Sequence, residues 1–160
     1  MVTASTISIQ NIWKILEQVT DPEVPVLTIT DLGIVRDVKL NSDEVEIIIT
    51  PTYTGCPAMD MIAMNIKLAL IENGYSNIKI TSVLAPAWTT DWMTEEGKRK
   101  LKEYGIAAPN KNFEIPTDGV ECPLCNSTNT KLISEFGSTA CKALYQCKDC
   151  KEPFDYFKCH

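Results

Sequence analysis

Apolar residues near the start of the chain recur at the spacing of one helical face. Ile9, Ile12, Leu16 and Val19 fall three and four apart, and Ser8 stands where a helix N-cap belongs. Asp21-Pro22-Glu23 then stops the pattern, because proline removes a backbone donor and disfavours helix in the residue before it. In VRDVKLNSDEVEIIIT the period changes. Val and Ile gather on both sides of Asn41-Ser42-Asp43, which predicts two strands around a tight turn. A second helix is predicted after TPTYTGCPAMD, with Pro57 in its first position and Gly74 at its C-terminal stop. Its apolar face comprises Met59, Ile62, Ala63, Ile66, Ala69 and Leu70. NIKITSV reads as a third strand, and TEEGKRKLKEYG as a short charged helix capped by Thr94 and ended by Gly105. The order helix, strand, strand, helix, strand predicts a small α/β sandwich, helices on a three-stranded sheet, over residues 1–108. Residues 109–119 show little periodicity and read as a linker. Trp88 and Trp92, four apart and accompanied by Met93, either pack a helical core or form a partner-binding patch.

Residues 120–160 follow a different rule. Cys122-Pro-Leu-Cys125 and Cys147-Lys-Asp-Cys150 are two C-x-x-C pairs separated by 21 residues, room for a hairpin that carries the second pair back to the first. Four thiolates so spaced predict a structural zinc in a C-terminal zinc ribbon, with a rubredoxin-like iron as the alternative for the same ligands. A module of this size buries too little apolar surface to fold unaided, so metal binding must supply the deficit. On this reading the ribbon unfolds without its metal and leaves the α/β domain intact. Cys141, Cys159 and His160 are three further ligand-type residues. Either they are ordinary small groups, the cysteines buried as hydrophobes, or they form a second thiol site that touches iron. Tyr145, Phe154, Tyr156 and Phe157 are expected to divide between covering the metal and contacting a protein partner.

Charge and composition narrow the function. The net charge is −6, with the acidic excess in residues 1–119 and a balanced ribbon. Neither part has the basic surplus that nucleic-acid binding needs to neutralise phosphates. No apolar stretch approaches the roughly 20 residues of a membrane span, and the first residues lack a basic region and a small-residue cleavage site. A cytoplasmic protein without membrane partners is therefore expected. Seven cysteines, an odd number, then argue for reduced thiols and metal over a disulfide framework.

The stretch TPTYTGCPAMD sets Cys56 between Gly55 and Pro57 at the mouth of the second helix. Backbone N–H groups at a helix start favour negative charge there, and Asp60, one turn on, opposes it. A cysteine nucleophile also needs a base, yet the only histidine is His160, so Cys–His hydrolysis is unsupported. Glu-x-x-His pairs of a di-iron bundle and a Gly-rich nucleotide loop are likewise missing, and no catalytic constellation remains. The acidic residues available to Cys56 are Asp21 and Glu23 of the DPE turn, Asp31 and Asp60. Such mixed sulfur and oxygen groups suit a transient iron or iron–sulfur contact better than a stable zinc cage. The residues alone leave two readings open: that contact, or a cysteine that merely fills the turn and caps the helix.

DPEVPVLTITDLGIVRDV followed by TPTYTGCPAMD resembles the domain of cytosolic iron–sulfur targeting factors and SufT-like bacterial maturation proteins. WTTDWMTEEGKRKL, CPLC, EFGSTACKALYQC and EPFDYFKCH look like the PaaD family of phenylacetate-degradation proteins, and the resemblance runs from about Asp21 to His160. It implies that Cys56 is the residue linked to iron–sulfur handling, with Asp21, Glu23 and Asp60 as weaker candidates for the same contact. It implies an accessory or maturation factor for the iron or iron–sulfur centres of a multicomponent phenylacetyl-CoA epoxidase in aerobic phenylacetate degradation. The partners would be its oxygenase and reductase components, with iron–sulfur carrier proteins or a second copy of the chain as further candidates. The implied cofactors are a structural zinc and a transient iron or iron–sulfur cluster. The alternative is a non-catalytic structural docking subunit of the oxygenase complex, which has no use for the Cys56 thiol. Asn126 follows the first knuckle where glycine is common in the family, and asparagine also tolerates the left-handed conformation.

Overall fold

The computed structural model describes residues 8–53, 55–109 and 119–158. Ser8 begins the first element as its side chain dictates: its hydroxyl accepts the Asn11 N–H at 3.1 Å, and α1 runs Ile9–Leu16. Ile12, Ile15 and Leu16 are buried whereas Ile9 is exposed, so the inward face is rotated from the expected one. The helix also closes at Glu17, ahead of the proline, and Val19 reaches the core from the chain beyond it.

β1 (Val35–Asn41) and β2 (Glu44–Ile49) pair antiparallel around Ser42-Asp43, where Ser42 adopts a φ of 58°. β3 (Ile78–Ser82) lies parallel to β2, so the chain must cross over the sheet, and α2 (Ala58–Glu72) makes that crossing. α2 buries Ala58, Ile62, Ile66 and Leu70, and β2 buries Val45, Ile47 and Ile49 by alternation. Pro57 is the N-cap of α2 rather than its first residue.

Past β3, Trp88 is buried and donates its indole N–H to the Leu32 carbonyl at 2.8 Å. Met93 is buried, and the Arg36 guanidinium sits 3.9 Å above the Trp92 ring. These residues pack the core from an extended segment and a 3-10 turn at Thr90–Trp92, not from the helix that their spacing implied. The chain approaches itself closely here. Gly33 has a φ of 72°, and a β-carbon at that position would stand 2.4 Å from the Trp92 carbonyl oxygen.

α3 (Glu95–Tyr104) is fixed to the same region by Asp31. Thr94 caps the helix through the Gly97 N–H, its own N–H donates to the Asp31 carbonyl at 2.9 Å, and its hydroxyl reaches Asp31 Oδ1 at 3.2 Å. Lys100 Nζ donates to Asp31 Oδ2 at 2.7 Å. Burial pushes the Asp31 carboxyl up, but hydrogen bonds from Lys100 and Thr28 outweigh it and hold the group below its ordinary 3.8. Asp31 is thus engaged in holding the helix start.

Gly105, at φ 90°, ends α3, and β4 (Ile106–Ala107) follows at once. With β5 (Thr130–Ser134), β6 (Lys142–Cys147) and β7 (Pro153–Phe157) it forms a second sheet in the order β4-β7-β6-β5. Most of the expected linker, residues 110–118, lies outside the described residues. The two sheets are not independent bodies. Cys141 and Phe157 of the ribbon are buried in the α/β core, where Phe157 meets the edge of Trp88 at 6.1 Å between ring centroids. Tyr145, Phe154 and Tyr156 are buried around the ribbon cysteines. The expectation that some of these four rings contact a partner is therefore overturned: each is at most 4% exposed, because the rings fill the two cores. No described helix is long and apolar enough to cross a membrane.

Because Asp31 is held in its ionised form by native contacts, its stabilisation is present above its unfolded value and is lost as pH falls through the lower folded one. Asp31→Asn should cost about 1.5–3 kcal/mol near neutral pH. Denaturant unfolding at neutral pH and below pH 4 checks this, with the gap between variant and wild type closing in acid.

Candidate functional site

Two thiol-bearing sites emerge, one on each side of the shared core. In the ribbon, the knuckle Cys122–Cys125 is followed by Asn126 at φ 63°, and the knuckle Cys147–Cys150 by Lys151 at φ 68°. The left-handed residues turn each chain back, so that the Cys122 N–H donates to Ser127 and the Cys147 N–H to Glu152. Asn129 Nδ2 donates to Asp149 Oδ1 at 2.9 Å and ties one knuckle to the other. The four sulfurs converge, with Cys122 and Cys150 3.8 Å apart, Cys125 and Cys147 3.6 Å apart, and all within 4.8 Å of one another.

That geometry fits a zinc ion. A tetrahedron with Zn–S bonds of about 2.3 Å has edges of about 3.8 Å. Backbone N–H groups of Cys150 and Asp149 pull the Cys147 thiol down to about 7, whereas desolvation and the crowded neighbouring thiols push Cys125 and Cys150 up, so that a cation is needed to hold all four as thiolates. Cys122 and Cys147 are fully buried against Tyr145, Phe154 and Tyr156, whereas Cys125 is exposed. A metal held here would fasten the knuckles, contributing folding free energy without an open coordination position.

The second site forms around Cys56. Its loop is shaped by Gly55 at φ 78° and by the Cys56 N–H donating to the Tyr53 carbonyl at 3.2 Å, and Cys56 is left half-buried at the start of α2. The Tyr53 hydroxyl hydrogen-bonds the Cys56 side chain. Burial first, then Cys56, Glu23 and Cys141, drives that hydroxyl well above the usual tyrosine value. The charges of Glu23 and Cys141, both distant in sequence, thus reach the Tyr53 hydroxyl.

The DPE turn faces Cys141 and Lys142 of the ribbon. Asp21 Oδ1 accepts the N–H groups of Glu23 and Val24 at 2.7 and 2.8 Å, fixing the turn from within. Burial raises the Asp21 carboxyl above its ordinary value despite these bonds. Glu23 is left partly exposed, and its Oε2 lies 3.4 Å from Cys141 Sγ, which donates to it. Lys142 Nζ donates to the Glu23 carbonyl at 3.2 Å, and its charge also acts on Asp21.

Of the candidates read from sequence, the structure brings Glu23 to Cys141, with Asp21 buried in the same turn, and sets Cys56 half-buried at the start of α2. Asp60 is exposed in the first turn of α2. Cys141, grouped by sequence with Cys159 and His160, faces Glu23, whereas those two residues lie outside the described residues. Lys142 carried no sequence signal, since its contact with Glu23 arises only when the ribbon docks on the DPE turn.

An α/β domain of the iron–sulfur-assembly type, with a four-cysteine zinc ribbon packed against it, is the class defined by this fold and site. Residues 9–74 match the family model of the iron–sulfur cluster assembly protein, and residues 107–158 match that of the PaaD zinc beta ribbon domain. The chain is 49% identical, over 99% of its length and 98% of the relative's, to a protein of Escherichia coli (strain K12) that is named for a subunit of 1,2-phenylacetyl-CoA epoxidase. It is 37% identical, over 58% of its length and 91% of the relative's, to the Fe-S protein maturation auxiliary factor YitW of Bacillus subtilis (strain 168). Among solved structures, a domain of unknown function DUF59 from Bacillus anthracis superposes with a TM-score of 0.54 at 30% identity, covering 57% of this chain and 89% of that one. The chain belongs to the PaaD family.

Cys147→Ser should abolish binding of about one zinc per chain, as read by elemental analysis. Because Phe157 and Cys141 reach into the α/β core, thermal unfolding of the whole chain should shift down as well, rather than the ribbon alone. Full zinc content in the variant would contradict the assignment.

Proposed function

We propose that this chain is an accessory factor that helps install an iron or iron–sulfur centre in the multicomponent phenylacetyl-CoA epoxidase, acting in the cytoplasm on its oxygenase or reductase component. The observation that carries the reading is the placement of Cys56. It is a half-buried thiol on a loop at the start of α2, beside Tyr53, whose hydroxyl also feels the charges of Glu23 and Cys141. Sulfur and carboxylate together suit iron held for transfer, since a closed set of four thiolates, as in the ribbon, leaves no position from which to hand a metal on.

The names of the relatives support the two halves of this reading. One is named for an epoxidase subunit, and the relatives of the α/β domain are named Fe-S protein maturation auxiliary factors. The ribbon then supplies stability and a fixed platform, while the chain itself carries out no oxygenation. Iron or a cluster is its cargo, and the thiol contact is transient.

Cys56→Ser keeps the size of the side chain but substitutes a poor ligand for soft metal. Its folding stability should stay within about 0.5 kcal/mol of wild type. When the variant is co-produced with the epoxidase components, their iron content and activity should fall together. Fully iron-loaded, fully active epoxidase would overturn the proposal and leave a purely structural role in docking.

A further inference from the structure

We propose that the outward face of α2 docks a second copy of this chain, in an antiparallel helix pair with two-fold symmetry. The proposal stands apart from the role of Cys56.

α2 is apolar on two opposite faces. Ile62, Ile66 and Leu70 are buried in the α/β core, whereas Met61, Met64, Leu68 and Ile71 are 51, 59, 51 and 55% exposed. With about 3.6 residues per turn, the two sets centre half a turn apart. The other helices do not repeat this. α1 turns Gln10, Lys14 and Glu17 outward, and α3 turns out Glu95, Glu96, Arg99, Lys102 and Glu103. A helix with apolar residues on both faces belongs in an interior. Four large side chains aligned on one face make a patch of roughly a few hundred Å², the kind that marks an interaction site.

The spacing points to the occupant. With exposed Pro57 at the head of the helix, the face reads 57, 61, 64, 68, 71, alternating steps of four and three as in a coiled-coil seam. These positions are nearly symmetric about Met64. An antiparallel copy therefore sets Met64 on Met64, Met61 on Leu68 and Pro57 on Ile71 in both directions, as a two-fold interface requires. Beside Leu68 a cleft of about 240 Å³ lies between α2 and the chain after α1, lined by Val19, Thr20, Asn65 and Glu72. It gives the flexible Met61 side chain of the other copy a gap to fill.

Charge agrees. Asp60 and Lys67 are exposed on one flank of the stripe, seven residues and roughly 10 Å apart along the axis, too far to pair with each other. The two-fold brings this flank of one copy to the same flank of the other, so Asp60 meets Lys67 twice. Chains of net charge −6 repel one another, and this face offers them a locally matched contact. Two such patches bury less than the roughly 1,200 Å² of a standard stable interface, which places the dimer in the weak, reversible class.

Sedimentation velocity of the full zinc-loaded chain, from low to high micromolar concentration, should show a reversible monomer–dimer equilibrium. Met64→Lys sets two ammonium groups together on the axis and should weaken the dimer about tenfold or more. Lys67→Asp should weaken it too, and Asp60→Lys combined with Lys67→Asp should restore it, because the reciprocal pairs return with their signs exchanged. All three positions are exposed, so zinc content and circular dichroism should match wild type. A wild type that stays monomeric throughout overturns the proposal, even where an epoxidase component then covers the face. Dimerisation of Met64→Lys at wild-type strength overturns it as well, by placing the contact elsewhere. If Met64→Lys is monomeric and the double variant fails to recover, the antiparallel pairing is wrong.

Discussion

The burial of the ribbon's edge in the core of the α/β domain is the contact on which the rest of the molecule depends. Phe157 is 2% exposed and meets Trp88 edge-on, and Cys141 is 4% exposed beside the DPE turn. Burying a phenylalanine is worth about 1.5–3 kcal/mol, a large share of the marginal stability of a small domain. The junction is extended by main-chain pairing, for β4 leaves α3 directly and lies parallel to β7 at the edge of the ribbon sheet. The four-cysteine cluster at one end of this sheet and the DPE turn at its other end are therefore joined through one shared core.

The two thiol sites divide their chemistry accordingly. Four sulfurs close around one point in the ribbon, a geometry for permanence. At the junction Cys141 is buried against Glu23, and Cys56 stands half-buried at the start of α2, outside any such closed set. Asp21 and Asp31 resemble metal ligands in composition, yet their oxygens are engaged in local hydrogen bonds that hold the DPE turn and the start of α3.

Much of this was legible in the chain because it depends on local rules. The caps at Ser8 and Thr94, the turn at Ser42 and the left-handed Asn126 follow from side-chain type over a few residues. The four ribbon ligands follow from paired spacing. What depends on distant parts of the chain was not legible. Trp88 packs from a loop because the Leu32 carbonyl receives its indole N–H, Gly33 admits the Trp92 backbone beside it, and Tyr145, Phe154 and Tyr156 turn inward because the second sheet has a core of its own. The meeting of Cys141 with Glu23 spans 118 residues, a separation that no periodicity encodes.

Residue-resolved hydrogen exchange of the full chain, with zinc present and after chelation, tests the shared core most directly. The Glu23 and Val24 amides, which donate to Asp21 beneath Cys141 and Lys142, lie in the α/β domain and touch no ribbon ligand. Their exchange should accelerate when zinc is removed, because the ribbon that covers the turn loosens with its metal. Protection of these two amides that is unchanged by chelation would contradict a single cooperative structure.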